Sequence, residues 1–306
     1  MSAPSWVQAV GKRVLGREPQ QLVDWEPFVV RALFALITAR HAPILSGLSF
    51  HDAPFPNGLA NYLELWELSS LSSVLFGLFL VALICYAAGV VLPLATGYLA
   101  LITVVAGTLK NSQGAIGHSH QILALLMCGQ FAVYTWAHFK HSGDQLAKGH
   151  ALSNIVSPQL VAYVYVTTAI SKLRISGLDW FRDSPNIVVE IIKTHSQGYY
   201  NQLEQGMLER GQRIAEALVE HQTFTRVLIG SGLVLEILGF VGLFGKRWGL
   251  LMAVLLTSFH SGVKILMSLN FEANQMCLLL FMGHIVFWGL WAVQKYVLGR
   301  PVPAPN

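Results

Sequence analysis

LSSVLFGLFLVALICYAAGVVLPLATGYLALITVVAGTL, residues 71–109, contains no acidic, basic or histidine side chain. A helix of about 20 apolar residues crosses the hydrocarbon of a bilayer, so this stretch is long enough for two passes. Pro93 and Gly97 lie between its halves, and proline tends to end one helix and can open the next. The run therefore reads as a tight helical hairpin, 71–92 and 94–109, or as one kinked helix.

Working outward, apolar segments of the same kind recur at residues 27–43, 120–139, 157–173, 224–244, 248–269 and 275–296, separated by short polar turns. The expected fold is an all-α polytopic membrane helix bundle of about eight transmembrane helices. Composition agrees: 54% of the 306 residues are hydrophobic and only 12% are charged. A mean hydropathy of +0.52 is too apolar for an ordinary soluble domain. The first segment carries Arg31 and Arg40, costly at mid-membrane, so it is read as tilted, packed inside the bundle or interfacial.

Positive charge orders the loops. Lys12, Arg13 and Arg17, then Lys140 and Lys148, then Lys246 and Arg247, then Lys295 and Arg300 fall on alternate turns, which places both termini in the cytoplasm by the positive-inside rule. Residues 1–24 form a cytoplasmic N-terminal segment without the apolar core of a cleaved secretory signal, and residues 299–306 form a disordered, proline-rich tail. Residues 174–223 carry too many charges to span and form a non-cytoplasmic amphipathic segment; from Tyr199, the residues Leu203, Met207, Ile214 and Leu218 recur at helical spacing. A net charge of +4 suggests no nucleic-acid partner, because the basic residues are scattered at helix ends. Cys85, Cys128 and Cys277 lie in apolar runs without CxxC spacing and read as small core residues.

Ionisable groups within spans are functional candidates because each costs several kcal/mol unless paired or hydrated. His118 and His120 open the fourth span, Lys172 closes the fifth, Glu236 stands mid-way in the sixth, and His260 and Lys264 share a face of the seventh. Under the topology above, Lys172 and the histidine positions gather at the non-cytoplasmic face. Tyr165, Thr168 and Lys172 lie at i, i+3 and i+7 on one helix face. Partial burial would disfavour the ammonium form and make Lys172 a usable base; the plainer alternative is a lysine snorkelling to the headgroups. Likewise, the histidines serve either a site or interhelical hydrogen bonds. Although there are eleven histidines, no HxxxH or HExxH spacing points to a metal site. His138, His141 and His150 are read as loop histidines.

Four stretches carry a family resemblance: KNSQGAIGHSHQILALL at residues 110–126, the tyrosine-rich helix ending in Ser171-Lys172-Leu173 with Asp179 and Trp180 after it, GLVLEILGF around Glu236, and FHSGVKILMSLNF around His260. Their order resembles the horizontally transferred transmembrane (HTTM) domain family, which includes the membrane domain of vitamin K-dependent gamma-glutamyl carboxylase, and covers residues 25–298. The resemblance implies that Lys172 is a general base toward vitamin K or another quinol, with His118 or His120 in support and with Glu236 and His260 at recurrent family positions. Tyr165, Thr168 and Lys264 then line the cofactor site. Departures are Ser171, where the carboxylase has a second lysine, and Ile116 and Gly117, where it has asparagines. No counterpart of its large luminal region follows the last span, so action on a propeptide-tagged client is not expected. The reading is a stand-alone membrane enzyme working on a lipophilic small molecule in the lipid bilayer. The alternatives are a non-enzymatic assembly or maturation component with a membrane-protein partner, and a haem or metal carrier.

Overall fold

The computed structural model describes residues 22–42, 55–113, 120–140 and 143–302. The expectations for residues 1–21, for His118 and His141, and for the tail from residue 303 lie outside them. Every regular element among the described residues is helical. The main helices are α1 (Glu26–His41), α2 (Ser72–Ala88), α3 (Leu92–Asn111), α4 (Gln121–Lys140) and α5 (Gln145–Ser176). A short α6 (Asp179–Asp183) leads to α7 (Ile187–Gln202) and α8 (Gln205–Glu220). Then come α9 (Gln222–Leu238), which tightens into a 3-10 turn at Gly239–Phe244, α10 (Lys246–Met267), α11 (Glu272–Cys277) and α12 (Ile285–Ala292).

Each predicted span coincides with helical structure, but eight membrane crossings are not supported. Among the described residues, four helical stretches are long and apolar enough to cross: Leu92–Asn111, Gln121–Lys140, Gln222–Phe244 and Lys246–Met267. A fifth crossing is reached if the bent pair Glu272–Met282 and Ile285–Val297 counts as one. The others fall short for physical reasons. At 1.5 Å per residue, α1 and α2 reach only about 24–26 Å against a core of about 30 Å. α5 is long enough with its 32 residues, yet Ser157, Gln159, Thr167, Thr168 and Lys172 dilute its apolar half.

The 71–109 run is two helices. Gly89 ends α2 in the left-handed region at φ 78, its N–H donating to the carbonyls of Cys85 and Tyr86. Val91, at φ 44, and then Pro93 open α3. Arg31 of α1 sits at this corner, 6% exposed. Its Nε donates to the Tyr86 and Ala87 carbonyls at 3.0 and 3.3 Å, so the guanidinium caps the negative end of α2. Nη1 donates to the His150 ring, 2.7 Å from Nε2, and the Tyr134 hydroxyl lies 3.1 Å from Nδ1. His150 is thus a partly buried helix residue of α5, not a loop histidine, and His138 lies at the end of α4, exposed and bonded to Gln145. α1 is packed inside the bundle, with Phe34 fully buried edge-on to Tyr86 and Phe281.

The 275–296 span is broken. A π-helical turn at Leu278–Met282 runs into His284, whose φ is 49, and the halves bend by 55°. The cysteines are free, and Cys128 is exposed where a core position was expected. Residues 174–223 form an α7–α8 hairpin, not one continuous helix from Tyr199. The chain turns at Leu203, which is left-handed and exposed, while Ile191 and Leu218 pack with Met267 of α10. Small residues close the hairpin: Gly211 lies under His195 and Gly198 under Met207.

Candidate functional site

Three helices meet where Lys172, Glu236 and His260 come together. α5 supplies Tyr165 and Lys172, α9 supplies Glu236, and α10 supplies His260. Glycines set the close approach: Gly239 lies under Tyr165, and Gly232 makes room for the Phe259 ring of α10. Gln275 of α11 donates from Nε2 to the Thr257 carbonyl and the Ser261 hydroxyl, at 3.1 and 2.9 Å. These two bonds tie α11 to α10, and Asn274 is the preceding residue of α11.

Lys172 Nζ donates to both Glu236 carboxylate oxygens at 2.7 Å. The carboxylate is nearly sealed, its side chain 6% exposed against 27% for the lysine. The ammonium also stands 5.2 Å from the centroid of the Trp180 ring, in range for cation–π attraction. A buried carboxylate without such a partner would be strongly disfavoured, and the pair is charge-neutral as a unit. Because amine and carboxylate are in direct contact, a proton can pass between them without a change in net charge.

Beside the ion pair, the Tyr165 hydroxyl and His260 Nε2 share a hydrogen bond of 2.9 Å. Phe271 stacks on the imidazole at 4.9 Å between centroids. Lys172 lies within Coulombic reach of His260, and Asn274 borders the Tyr165 hydroxyl. Three buried polar atoms here have no hydrogen-bond partner among the described residues: His260 Nδ1, Asn274 Oδ1 and Trp180 Nε1. Buried groups of this kind are normally satisfied. These three are a donor, an acceptor and an imidazole nitrogen.

Of the predicted site residues, Lys172, Glu236, His260 and Tyr165 are brought together. Thr168 is not: it is exposed and its hydroxyl donates to the Val164 carbonyl at 2.7 Å. The reason is angular, since Ala169, fully buried, takes the inward position between Tyr165 and Lys172. Lys264 is exposed and contributes no side chain to the cluster. His120 is buried at the start of α4, with Gly107 of α3 beneath its ring; α3 carries no member of the Lys172 cluster. His118 lies outside the described residues.

Asn274 and Phe271 were passed over as members of the site in the sequence, and their signal is the polar Asn270–Gln275 stretch before the last apolar run. Among the described residues no group of three or more His, Cys, Asp or Glu side chains is placed to hold a metal ion. No family model, curated protein or solved structure matches the chain.

Proposed function

We propose that this chain is a stand-alone integral membrane enzyme of HTTM type, in which Lys172 acts as general base on a lipophilic substrate such as a quinol. The observation that carries the reading is the bidentate Lys172–Glu236 pair among apolar helices, beside buried donors and acceptors that lack partners. Glu236 takes the proton from the Lys172 ammonium, leaving a neutral amine whose lone pair is free. That amine removes a proton from the substrate hydroxyl. The O–H bonding pair stays on oxygen, giving a quinolate beside the Tyr165–His260 pair, which offers it a hydrogen bond. Both termini lie in the cytoplasm in this reading, and the Lys172 end of the bundle opens away from it.

Purified protein supplied with a vitamin K hydroquinone or menaquinol under air, with dissolved O2 taking the two electrons of the quinolate, is expected to consume the quinol faster than buffer alone. Lys172→Ala abolishes this and Lys193→Ala, in the outer hairpin, preserves it. Equal rates in the two variants, or no consumption by the unaltered protein, contradict the reading.

A second reading, a non-enzymatic assembly component, draws on the same ion pair as a rivet between α5 and α9 and on the exposed polar face of α8. It expects Lys172→Met to preserve function while removal of the α7–α8 hairpin destroys it.

A further inference from the structure

The outer surface of α9 carries a groove of about 640 Å³, remote in character from the ion pair. Its floor is apolar: Val227, Gly230 and Val234 along α9, walled by Phe181 of α6. Gly230 makes the wall possible, because a Cβ there would stand 2.7 Å from the Phe181 ring. Arg182 and Arg226 stand at one end, and Ser231, beside Gly230 on the floor, donates its hydroxyl back to the Leu228 carbonyl at 2.7 Å. With 3.6 residues per turn, Glu236 falls on the opposite face of α9 from this floor, so the groove is a separate feature.

The two arginines differ. Arg182 is neutralised by Asp179 and Asp183, each at 3.1 Å. Arg226 donates from Nε to the Arg182 carbonyl at 3.3 Å and has no carboxylate partner among the described residues. It is exposed, one turn into a stretch long and apolar enough to cross a membrane, and thus at headgroup depth if Gln222–Phe244 does cross. From Arg226 to Val234 the floor descends about 12 Å along the helix.

An open guanidinium above a descending apolar trough is the complement of an amphiphile with a phosphate head. We propose that this groove binds a zwitterionic glycerophospholipid, its phosphate on Arg226 and one acyl chain laid over Val227, Gly230 and Val234. Guanidinium pairs with phosphate oxygens through forked hydrogen bonds. The two aspartates beside the two arginines make the neighbourhood neutral overall, which favours a head carrying its own ammonium over a net anionic one. The volume lies within the usual range of small-molecule sites.

Native mass spectrometry of the detergent-purified full chain tests this, with phosphatidylethanolamine, a diacylglycerol of the same chains, or inorganic phosphate added. One phosphatidylethanolamine is expected to survive activation that strips the diacylglycerol, and inorganic phosphate alone is not retained. Arg226→Gln lowers the retained fraction at least fivefold and Lys193→Gln leaves it unchanged. Ser231→Trp, which fills the trough without altering charge, lowers it as well, so a folding failure of one variant does not decide the matter. Equal retention of the diacylglycerol, full retention by both Arg226→Gln and Ser231→Trp, or a groove covered by a second copy of the chain overturns the proposal.

Discussion

Lys172 Nζ stands 2.7 Å from both oxygens of Glu236, across 64 positions of sequence and between two helices that cross at small residues. Removing one member of such a pair leaves the other as an uncompensated charge in an apolar setting. Glu236→Leu is expected to cost about 3 kcal/mol, in line with broken buried pairs. The measurement is the denaturation midpoint in mild detergent, and an unchanged midpoint would show that the pair carries no such load.

Tyr165→Phe tests the second contact of the site. The Tyr165–His260 bond is buried on both sides, and deleting the hydroxyl leaves Nε2 as well as Nδ1 without a partner. A loss of about 1–3 kcal/mol is expected, measured in the same denaturation assay. Thr168→Val, at an exposed position whose hydroxyl only returns to its own helix, should change stability by no more than about 0.5 kcal/mol.

At the other end of the bundle, Gly89→Ala is expected to destabilise more than an ordinary surface change. The residue sits at φ 78, and an added Cβ would stand 2.8 Å from Arg31 Nη2. Strain in the left-handed region and displacement of the guanidinium act together, for about 2 kcal/mol. Arg31→Met should uncap the same carbonyls, so the double variant is less than additive. A thermodynamic cycle over the two positions checks this.

The α7–α8 hairpin rests on a close approach that any larger side chain would spoil. Gly211→Leu places atoms where His195 Cβ now lies, 2.6 Å from a built Cβ, and the α7–α8 contact should open. Limited trypsin digestion is expected to cut earlier at Arg210 and Arg213, while Gly206→Ala, with open space around it, should leave the pattern unchanged.

Helix positions are legible in this sequence because apolar runs separated by polar turns, with Pro93 at the opening of α3, mark where helices begin and stop. The number of membrane crossings is not legible in the same way. Arg31 looks like a penalty in a linear reading, and its remedy lies 55 positions away at the end of α2 and 119 away at His150. A span broken at His284 and a hairpin turned at Leu203 depend on left-handed residues that carry no glycine signal.

The site was legible in part. Lys172, Glu236 and His260 announce themselves as ionisable groups in apolar runs, and each finds a partner. Thr168 and Lys264 share a predicted face with them, but a few tens of degrees of helix rotation turn both outward. The polar Asn270–Gln275 stretch marks Asn274 as a candidate, but its place in the cluster depends on the packing of α11 on α10.

The double variant Lys172→Met/Glu236→Met separates a proton-exchange pair at these two positions from a rivet. Removing both charges restores packing without an orphaned ion, so stability should return to within about 1 kcal/mol of the unaltered protein. Quinol consumption, measured in the same preparation, is predicted to stay absent. A stable double variant that still consumes quinol at the unaltered rate would contradict the account.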